Sequence, residues 1–191
     1  MKCIPTEIKD VKIIDPDVFG DHRGWFMETY NSEKLKEFGI DNVFVQDNMS
    51  YSARKGTLRG LHYQCWPYAQ AKLIRCTRGA VIDVAVDLRK GSPTFGKWVS
   101  CLLSAENKRM LFIPRGFAHG FLTVTDDVEF QYKCDNLYNK ASEGSVRYDD
   151  PAIDIDWNGL LNDMELILSE KDMNAPSLEE CNANFIYKEN C

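Results

Sequence analysis

The sequence contains three histidines, and two of them lie in segments whose neighbouring residues could support proton chemistry. His62 follows Arg59 in the strand-like segment TLRGLHYQ, and His119 lies in the segment PRGFAHG. An imidazole titrates near neutral pH and can take a proton from carbon, whereas a guanidinium can hold a phosphate. The segment around His62 therefore predicts a site for proton transfer beside an anionic group.

Asp83 is a charged residue in a strand-like run, AVIDVAVDL, that is otherwise apolar on both faces. An unpaired carboxylate is costly to bury, so Asp83 needs a cation, an imidazole or several hydrogen-bond donors as partners. Backbone amides in a structural role and the groups of a polar site both satisfy that need, and the pattern leaves both open.

Lys72, in the segment QAKLIRC, raises a similar question. Strand alternation puts Lys72 on the same face as Ile74 and Cys76. An inward lysine needs nearby negative charge, whereas a lysine exposed at a sheet edge needs none, and the exposed lysine is the commoner case.

The segments that carry these residues belong to a chain whose pattern is mostly β. Runs rich in β-branched and aromatic residues alternate with glycine, proline, serine or charged breaks. We predict strands over residues 43–46, 56–64, 72–78, 80–88, 98–103, 109–113, 120–125 and 128–133. About eight to eleven short strands predict an all-β fold, an antiparallel sandwich or jelly-roll barrel, whose mouth is a natural ligand pocket.

A few short helices are expected beside the strands. The segment SEKLKEFG, residues 32–39, has a capping serine at Ser32, helix formers and a final glycine. A second helix is expected after Ser169, and a helical or irregular tail from about residue 160. Residues 174–191 would either close over the pocket or pack outside it.

Length and charge restrict the class of protein. A chain of 191 residues suffices for one well-buried core, so a single domain over 1–191 is expected. The net charge of -6 argues against a nucleic-acid partner, which requires a clustered positive field. The sequence shows neither an apolar run of about 18 residues nor a signal-peptide core, so we expect no membrane segment and a cytoplasmic protein.

The ligand inventory argues against metal and disulfide sites. Seven cysteines, an odd number without any C-x-x-C pair, favour neither a disulfide framework nor a zinc ribbon. The segment PRGFAHG resembles the second conserved motif of the cupin superfamily, P-x-G-x-x-H. The first motif of metal-binding cupins carries H-x-H, but Gln64 replaces its second histidine here. One histidine in each motif is too few for an ion, so no metal is expected.

Five segments, in order, resemble the motif series of the dTDP-4-dehydrorhamnose 3,5-epimerases, a family of the cupin superfamily. They are FGDHRGWFME, FVQDN, LRGLH, FIPRGFAHGF and SEKD, within a match that extends from about residue 10 to about residue 175. The resemblance implies a cupin jelly-roll that acts on a dTDP-sugar without metal or other cofactor. It also implies a homodimer in which N-terminal strands are exchanged.

The resemblance implies catalytic roles for four residues. His62 would be the general base, and Asp172 the carboxylate that orients the imidazole and stabilises its protonated form. Tyr132 would be the acid on the opposite face of the sugar, because a phenol with a pKa near 10 stays protonated. Lys72 would stabilise the enolate formed next to the ketone. Without the resemblance to this family, Asp172 is explained as a helix-cap residue and Tyr132 as a core aromatic.

The resemblance also implies a polar lining for the pocket. Asp83 and His119 are expected to pair, which would give the carboxylate in the apolar strand its partner. The residues implied in binding thymidine, pyrophosphate or sugar are Arg23, Glu28, Gln46, Asn48, Arg59, Lys72, His119, Glu143 and Lys171. Arginine forks suit phosphate oxygens, and amide side chains can recognise the edges of thymine. Taken singly, several of these residues have a plain surface or turn explanation.

Arg59 and His62 pose a geometric problem, because residues three apart on a regular strand point to opposite faces. Gly60 lies between them and could permit a bulge that re-aims one side chain. Alternatively, Arg59 ends the preceding turn.

We therefore expect an epimerase that inverts carbons 3 and 5 of dTDP-4-dehydro-6-deoxy-D-glucose to give dTDP-4-dehydro-L-rhamnose. Both carbons adjoin the carbon-4 ketone, so one base and one enolate-stabilising lysine can serve both. Two alternatives stay open: an enzyme that inverts carbon 3 alone, and a cupin that binds nucleotide-sugars without catalysis.

Overall fold

The chain folds into two antiparallel β-sheets that pack face to face, in a computed structural model that describes residues 1–161 and 165–188. In chain order the strands are β1 (Lys2–Pro5), β2 (Lys12–Asp15), β3 (Val18–Asp21), β4 (Gly24–Met27), β5 (Gln46–Ser52), β6 (Leu58–Gln64), β7 (Lys72–Arg78), β8 (Ala80–Asp87), β9 (Trp98–Ser104), β10 (Met110–Ile113), β11 (Phe117–Thr123), β12 (Val128–Cys134) and β13 (Glu143–Ser145). The helices are α1 (Ser32–Glu37), α2 (Trp157–Leu161) and α3 (Glu170–Met173), with a 3-10 turn over Lys140–Ser142.

One sheet has six strands in the order β1-β2-β10-β7-β12-β5, and the other has five in the order β13-β6-β11-β8-β9. Strands β3 and β4 form a separate hairpin. Neighbouring strands in both sheets run antiparallel, so the predicted all-β jelly-roll is confirmed.

Strand alternation places one cluster of buried side chains between the two sheets, including Ile74, Val81 and Phe130. Helix α1 covers the outer face of the six-stranded sheet through Leu35. C-terminal residues, with Phe185 among the most buried, cover the outer face of the five-stranded sheet. The space left between the sheets at one end is where polar inward-facing residues collect.

The predicted strand bounds agree best where alternation is regular: β7 begins and ends as expected, at Lys72 and Arg78. The prediction over 43–46 is wrong, because β5 begins only at Gln46, and the side chains of Val43 and Val45 are exposed. The sequence pattern missed β1 to β4, which have four residues each, and that is too short for a clear period.

Both predicted helices form, with one change of cap. Helix α1 is capped by Asn31 rather than Ser32, because the Asn31 side chain accepts hydrogen bonds from two backbone amides of the first turn. Ser169 caps α3 as expected. Of the predicted tail, residues 162–164 and 189–191 lie outside the described residues, and residues 176–187 pack outside the cavity.

Within the described ranges, none of the helices is both long and apolar enough to cross a bilayer. Six cysteines are free thiols, and Cys191 lies outside the described residues.

Candidate active site

A cavity of about 490 Å³ opens between the two sheets and is lined by residues from both. Eight residues predicted from the sequence line it: Arg59, His62, Lys72, His119, Tyr132, Glu143, Lys171 and Asp172. The fold therefore gathers into one cavity residues that are up to about 110 positions apart in the chain.

His62 and Asp172 form a hydrogen-bonded pair on one wall of this cavity. His62 Nε2 lies 2.6 Å from Asp172 Oδ1, and the Asp172 side chain is 4% exposed against 33% for His62. Burial favours a higher pKa for Asp172, but the hydrogen bond from His62 and that from the Ser169 hydroxyl lower it overall. An ionised Asp172 accepts a hydrogen bond from the Nε2–H group of His62, which leaves Nδ1 of the imidazole as the basic atom.

The helix cap and the carboxylate partner prove to be compatible roles. The Ser169 hydroxyl accepts a hydrogen bond from the Asp172 amide (3.2 Å) and donates one to Asp172 Oδ2 (2.9 Å). The cap thus holds the carboxylate in place while its other oxygen faces His62.

Lys72, His119 and Asp83 form a second polar chain deeper in the protein. Lys72 Nζ lies 3.4 Å from His119 Nδ1, and His119 Nε2 lies 2.9 Å from Asp83 Oδ2. A charged ammonium can only donate, so Nδ1 accepts from Lys72, and Nε2 carries the proton and donates a hydrogen bond to Asp83. The expected pairing of Asp83 with His119 is confirmed, and Lys72 points into the cavity rather than to solvent.

Burial favours the uncharged form of all three hydrogen-bonded groups. It lowers the pKa of the Lys72 ammonium and of the His119 imidazole, and it raises the pKa of the Asp83 carboxyl. Among the described atoms, Asp83 Oδ1 has no hydrogen-bond partner. The charge on Lys72 therefore depends on Asp83 and on any anion that enters the cavity.

Tyr132 extends from strand β12 of the six-stranded sheet, whereas His62 belongs to the five-stranded sheet. Both side chains line the same cavity. Burial raises the pKa of the Tyr132 phenol, which keeps it protonated at neutral pH. The cavity thus has a proton acceptor on one sheet and a proton donor on the other.

Of the two explanations left open for Arg59, the structure shows the bulge at Gly60, which lets Arg59 and His62 reach the same cavity. The register between β6 and β11 shifts between two pairs: His62 pairs with His119, and Arg59 pairs with Phe121. Gly60 has a φ of 132°, and a Cβ built there would lie 2.5 Å from the Gly120 Cα. The extra residue rotates Arg59 onto the cavity side, where its guanidinium donates to the Ser52 hydroxyl and the Tyr51 carbonyl.

The mouth of the cavity carries an ion pair between Lys171 and Glu143, with 2.6 Å between Nζ and Oε1. Both side chains are partly exposed, so either can turn toward a ligand. Lys171 immediately precedes Asp172, which links the mouth to the acid/base wall.

Four predicted binding residues are not among those that line the cavity: Arg23, Glu28, Gln46 and Asn48. Arg23 pairs with Asp21 in the β3–β4 hairpin, and Glu28 pairs with Lys34. The Gln46 amide donates to Asn48 Oδ1 (3.0 Å), and Gln46 Oε1 accepts from the backbone of Tyr138, a residue of the cavity mouth.

Sequence reasoning missed several lining residues, among them Ser50, Gln70, Phe121 and Tyr138. Ser50 has a hydroxyl without a hydrogen-bond partner in the described part of the chain. Inward alternation along β5 could have revealed Ser50, since Gln46 and Asn48 share its face. Tyr138 follows β12 in a loop, where no periodic signal exists.

Gln64 is buried and ties together loops beside the cavity. Its carbonyl oxygen accepts from the Asn139 amide (2.8 Å), and its amide group contacts the carbonyls of Tyr68 and Leu137 at 3.4 Å. Over residues 1–161 and 165–188, no three His, Cys, Asp or Glu side chains cluster in a way that could hold a metal ion.

Comparison with known proteins gives one consistent result. The family model described as dTDP-4-dehydrorhamnose 3,5-epimerase matches residues 5–180. A Shigella flexneri protein named dTDP-4-dehydrorhamnose 3,5-epimerase is 56% identical over 87% of this chain and 93% of its own length.

Two solved structures are similar over the whole fold. Legionella pneumophila dTDP-6-deoxy-D-glucose-3,5-epimerase RmlC, in complex with dTDP-4-keto-L-rhamnose, is 48% identical with a TM-score of 0.87, over 94% of this chain and 93% of that one. A double mutant of ChmJ, a 3'-monoepimerase from Streptomyces bikiniensis, in complex with dTDP, is 39% identical with a TM-score of 0.84, over 92% and 86%. That mutant replaces a histidine by asparagine and a tyrosine by phenylalanine.

The match covers both sheets and the segments that carry the His62–Asp172 pair, Lys72 and Tyr132. With this coverage and 56% identity to a named relative, the similarity includes the amino-acid sequence as well as the fold. The chain belongs to the dTDP-4-dehydrorhamnose 3,5-epimerase family.

Proposed function

We propose that this protein epimerises dTDP-4-dehydro-6-deoxy-D-glucose at carbons 3 and 5 to give dTDP-4-dehydro-L-rhamnose. The observation that carries the proposal is the placement of the His62–Asp172 pair and Tyr132 on different sheets of one cavity. Inversion of a carbon requires removal of a proton from one face and delivery to the other. An acceptor and a donor on separate walls meet that requirement.

The proton at carbon 3 or carbon 5 is acidic because the carbanion it leaves is conjugated with the carbon-4 ketone as an enolate. His62 takes that proton through Nδ1, and Asp172 stabilises the imidazolium that forms. Tyr132 returns a proton from the opposite face. The Lys72 ammonium stabilises the negative charge that develops on the carbon-4 oxygen.

Asp83 and His119 support Lys72 in this scheme. His119 accepts a hydrogen bond from the lysine, and Asp83 fixes the tautomer in which Nδ1 is free to do so. The carboxylate also favours the charged lysine, against the effect of burial.

The nucleotide is proposed to lie at the mouth, where Arg59, Lys171 and Glu143 are found. The guanidinium of Arg59 suits a pyrophosphate, and the aromatic ring of Tyr138 offers a surface for the base. Support comes from the relatives whose structures hold dTDP-4-keto-L-rhamnose and dTDP.

The spacing of two residues also supports the roles of His62 and Tyr132. The histidine and the tyrosine replaced together in the Streptomyces bikiniensis enzyme are separated by the same number of positions as His62 and Tyr132.

We propose a homodimer with exchanged N-terminal strands, in which the β3–β4 hairpin meets the partner. The hairpin forms a two-stranded sheet of its own and exposes Phe19, Trp25 and Phe26 by 58% to 70%. Such an apolar patch on a projecting element is typical of an interface. Arg23 and Glu28 would then bind the nucleotide in the partner's cavity.

We further propose that the whole chain acts as one domain. The two outer coverings, helix α1 and the C-terminal residues around Phe185, pack on opposite faces of the same pair of sheets.

The configuration of the product tests the proposed function. We expect nuclear magnetic resonance spectra of the purified protein with dTDP-4-dehydro-6-deoxy-D-glucose to show inversion at both carbons. Inversion at carbon 3 alone would establish the narrower enzyme, which the similarity to a 3'-monoepimerase keeps in view. Calorimetric binding without any change in the sugar would establish a binding protein and contradict the proposal.

A further inference from the structure

The segment 176–187, called here the C-terminal strap, runs behind the five-stranded sheet on the face away from the cavity. Backbone hydrogen bonds hold both of its ends: the Arg147 amide donates to the Pro176 carbonyl (2.8 Å), and the Tyr187 amide donates to the Lys90 carbonyl (2.9 Å). Phe185 is 2% exposed and packs edge-to-face on Tyr63, with 5.8 Å between ring centroids. The strap is therefore an integral layer of the fold.

Asn182 lies in the middle of the strap and contacts two neighbouring strands and the loop between β6 and β7. Its side-chain oxygen accepts a hydrogen bond from the Tyr63 hydroxyl (2.7 Å), and its amide group donates to the Glu143 carbonyl (3.5 Å). Its backbone carbonyl accepts from the Cys65 thiol (3.2 Å). One side chain thus joins β6, which carries His62, to β13, which carries Glu143.

Gly144 shows how tightly these elements pack. A Cβ added there would overlap the Tyr63 ring and lie 2.5 Å from Asn182 Oδ1. Because side chains alternate along a strand, a strap-facing Gly144 turns its neighbour Glu143 toward the cavity. There the Glu143 carboxylate holds Lys171 at 2.6 Å.

Strand β13 is the edge strand of its sheet and has only three residues, Glu143 to Ser145. It pairs with β6 at Gln64, Tyr63 and His62. An edge strand this short needs packing support on the face away from the cavity, and the Tyr63–Asn182 hydrogen bond lies on that face.

We propose that Asn182 is a positioning residue for the nucleotide-sugar site. By fixing β13 against β6, it sets the place of the Glu143–Lys171 pair at the mouth of the cavity. The inference rests on the proposed function, because it assumes that this pair binds the nucleotide part of the substrate. The His62–Asp172 pair has its own support from Ser169, so Asn182 acts on binding rather than on proton transfer.

The test compares Asn182→Ala with the matched control Ser177→Ala. The Ser177 side chain belongs to the same strap but bonds only with Glu180 in the described structure. We expect Asn182→Ala to raise KM for the dTDP-sugar about fivefold with kcat within about twofold, and Ser177→Ala to change neither. A lower Tm with an unchanged KM would overturn the proposal, because Asn182 would then be purely structural.

Tyr63→Phe provides a second approach that removes a single hydroxyl and keeps the ring packing. It is expected to raise KM by a similar factor, and the double variant should add little, because both substitutions break the same hydrogen bond. Additive effects on KM would contradict the proposal. If Asn182→Ala does not fold, Tyr63→Phe alone decides.

A separate readout distinguishes this inference from the proposed function. Calorimetry with dTDP measures binding at the mouth without turnover. If the wild type binds dTDP but does not epimerise the sugar, the proposed function fails, and weaker dTDP binding by Asn182→Ala would still support the inference. Equal dTDP binding by the wild type and Asn182→Ala would overturn it.

Discussion

At the residue scale, the chemistry depends on pairs of side chains that the chain brings together from distant positions. His62 and Asp172 meet although 110 positions separate them, and the capping Ser169 hydroxyl locks the carboxylate. Without the family resemblance, the sequence explains Asp172 as a helix-cap residue alone. The cap is real, and the additional contact with His62 arises from tertiary packing, which no local pattern contains.

Asp172→Asn separates the two roles of this residue. The amide can still accept a hydrogen bond, so the helix start should persist and Tm should change little. The negative charge that stabilises the imidazolium is lost, so kcat should fall by about 10² to 10⁴. Kinetics and thermal unfolding measure the two effects; a large drop in Tm with a nearly normal kcat per folded molecule would contradict the assignment.

We expect the loss of activity at alkaline pH to result from deprotonation of Lys72 rather than of Tyr132. Burial lowers the pKa of Lys72 and raises that of Tyr132, so burial favours loss of the ammonium charge and opposes ionisation of the phenol as pH rises. Hydrogen exchange at the substrate's carbon should therefore decline at a pH below the ordinary range of a lysine. The same decline should remain in Tyr132→Phe. Its disappearance in that variant would show that the phenol, not the ammonium, is the titrating group.

At the element scale, alternation along the strands predicted which side chains share a face. It placed Lys72 on the face of Ile74 and Cys76 but left an exposed lysine as the commoner case, and the run around Asp83, apolar on both faces, did not distinguish the inner face. The same rule failed for Arg59 and His62, because the Gly60 bulge adds a residue to one strand. The glycine suggested the bulge, but only the packing against Gly120 requires it.

Gly60→Ala should destabilise the protein by at least about 3 kcal/mol, because a Cβ would collide with Gly120 and the backbone conformation is strained for alanine. Gly91→Ala is the matched control: Gly91 has a φ of 86°, and a Cβ built there would have nothing within 4 Å. Strain alone should cost this control about 1–2 kcal/mol. Denaturant unfolding measures both, and equal losses would contradict the close approach of the two strands.

At the scale of the whole molecule, the jelly-roll followed from the number and length of the β-runs. The sequence could not reveal the four N-terminal strands by pattern, because each has four residues. In the proposed dimer the β3–β4 hairpin meets a second copy, which would cover the aromatic side chains that the hairpin exposes in a single chain. In that dimer, Arg23 is proposed to act in the partner's cavity.

Subunit complementation tests that proposal. Arg23→Ala and His62→Ala should each have low activity as homodimers. A heterodimer of the two contains one cavity with both residues intact, so unfolding and refolding an equal mixture should restore about a quarter of wild-type activity. No recovery, with heterodimers verified by mass, would show that Arg23 does not serve the partner's cavity.

The central claim is that His62 removes the proton and Tyr132 delivers one from the opposite face. It is tested most directly by deuterium incorporation from heavy water into the dTDP-sugar. We predict incorporation at carbons 3 and 5 with inversion in the wild type, loss of incorporation by about 10² or more in His62→Ala, and incorporation without inversion in Tyr132→Phe. Unchanged incorporation in His62→Ala would contradict the account.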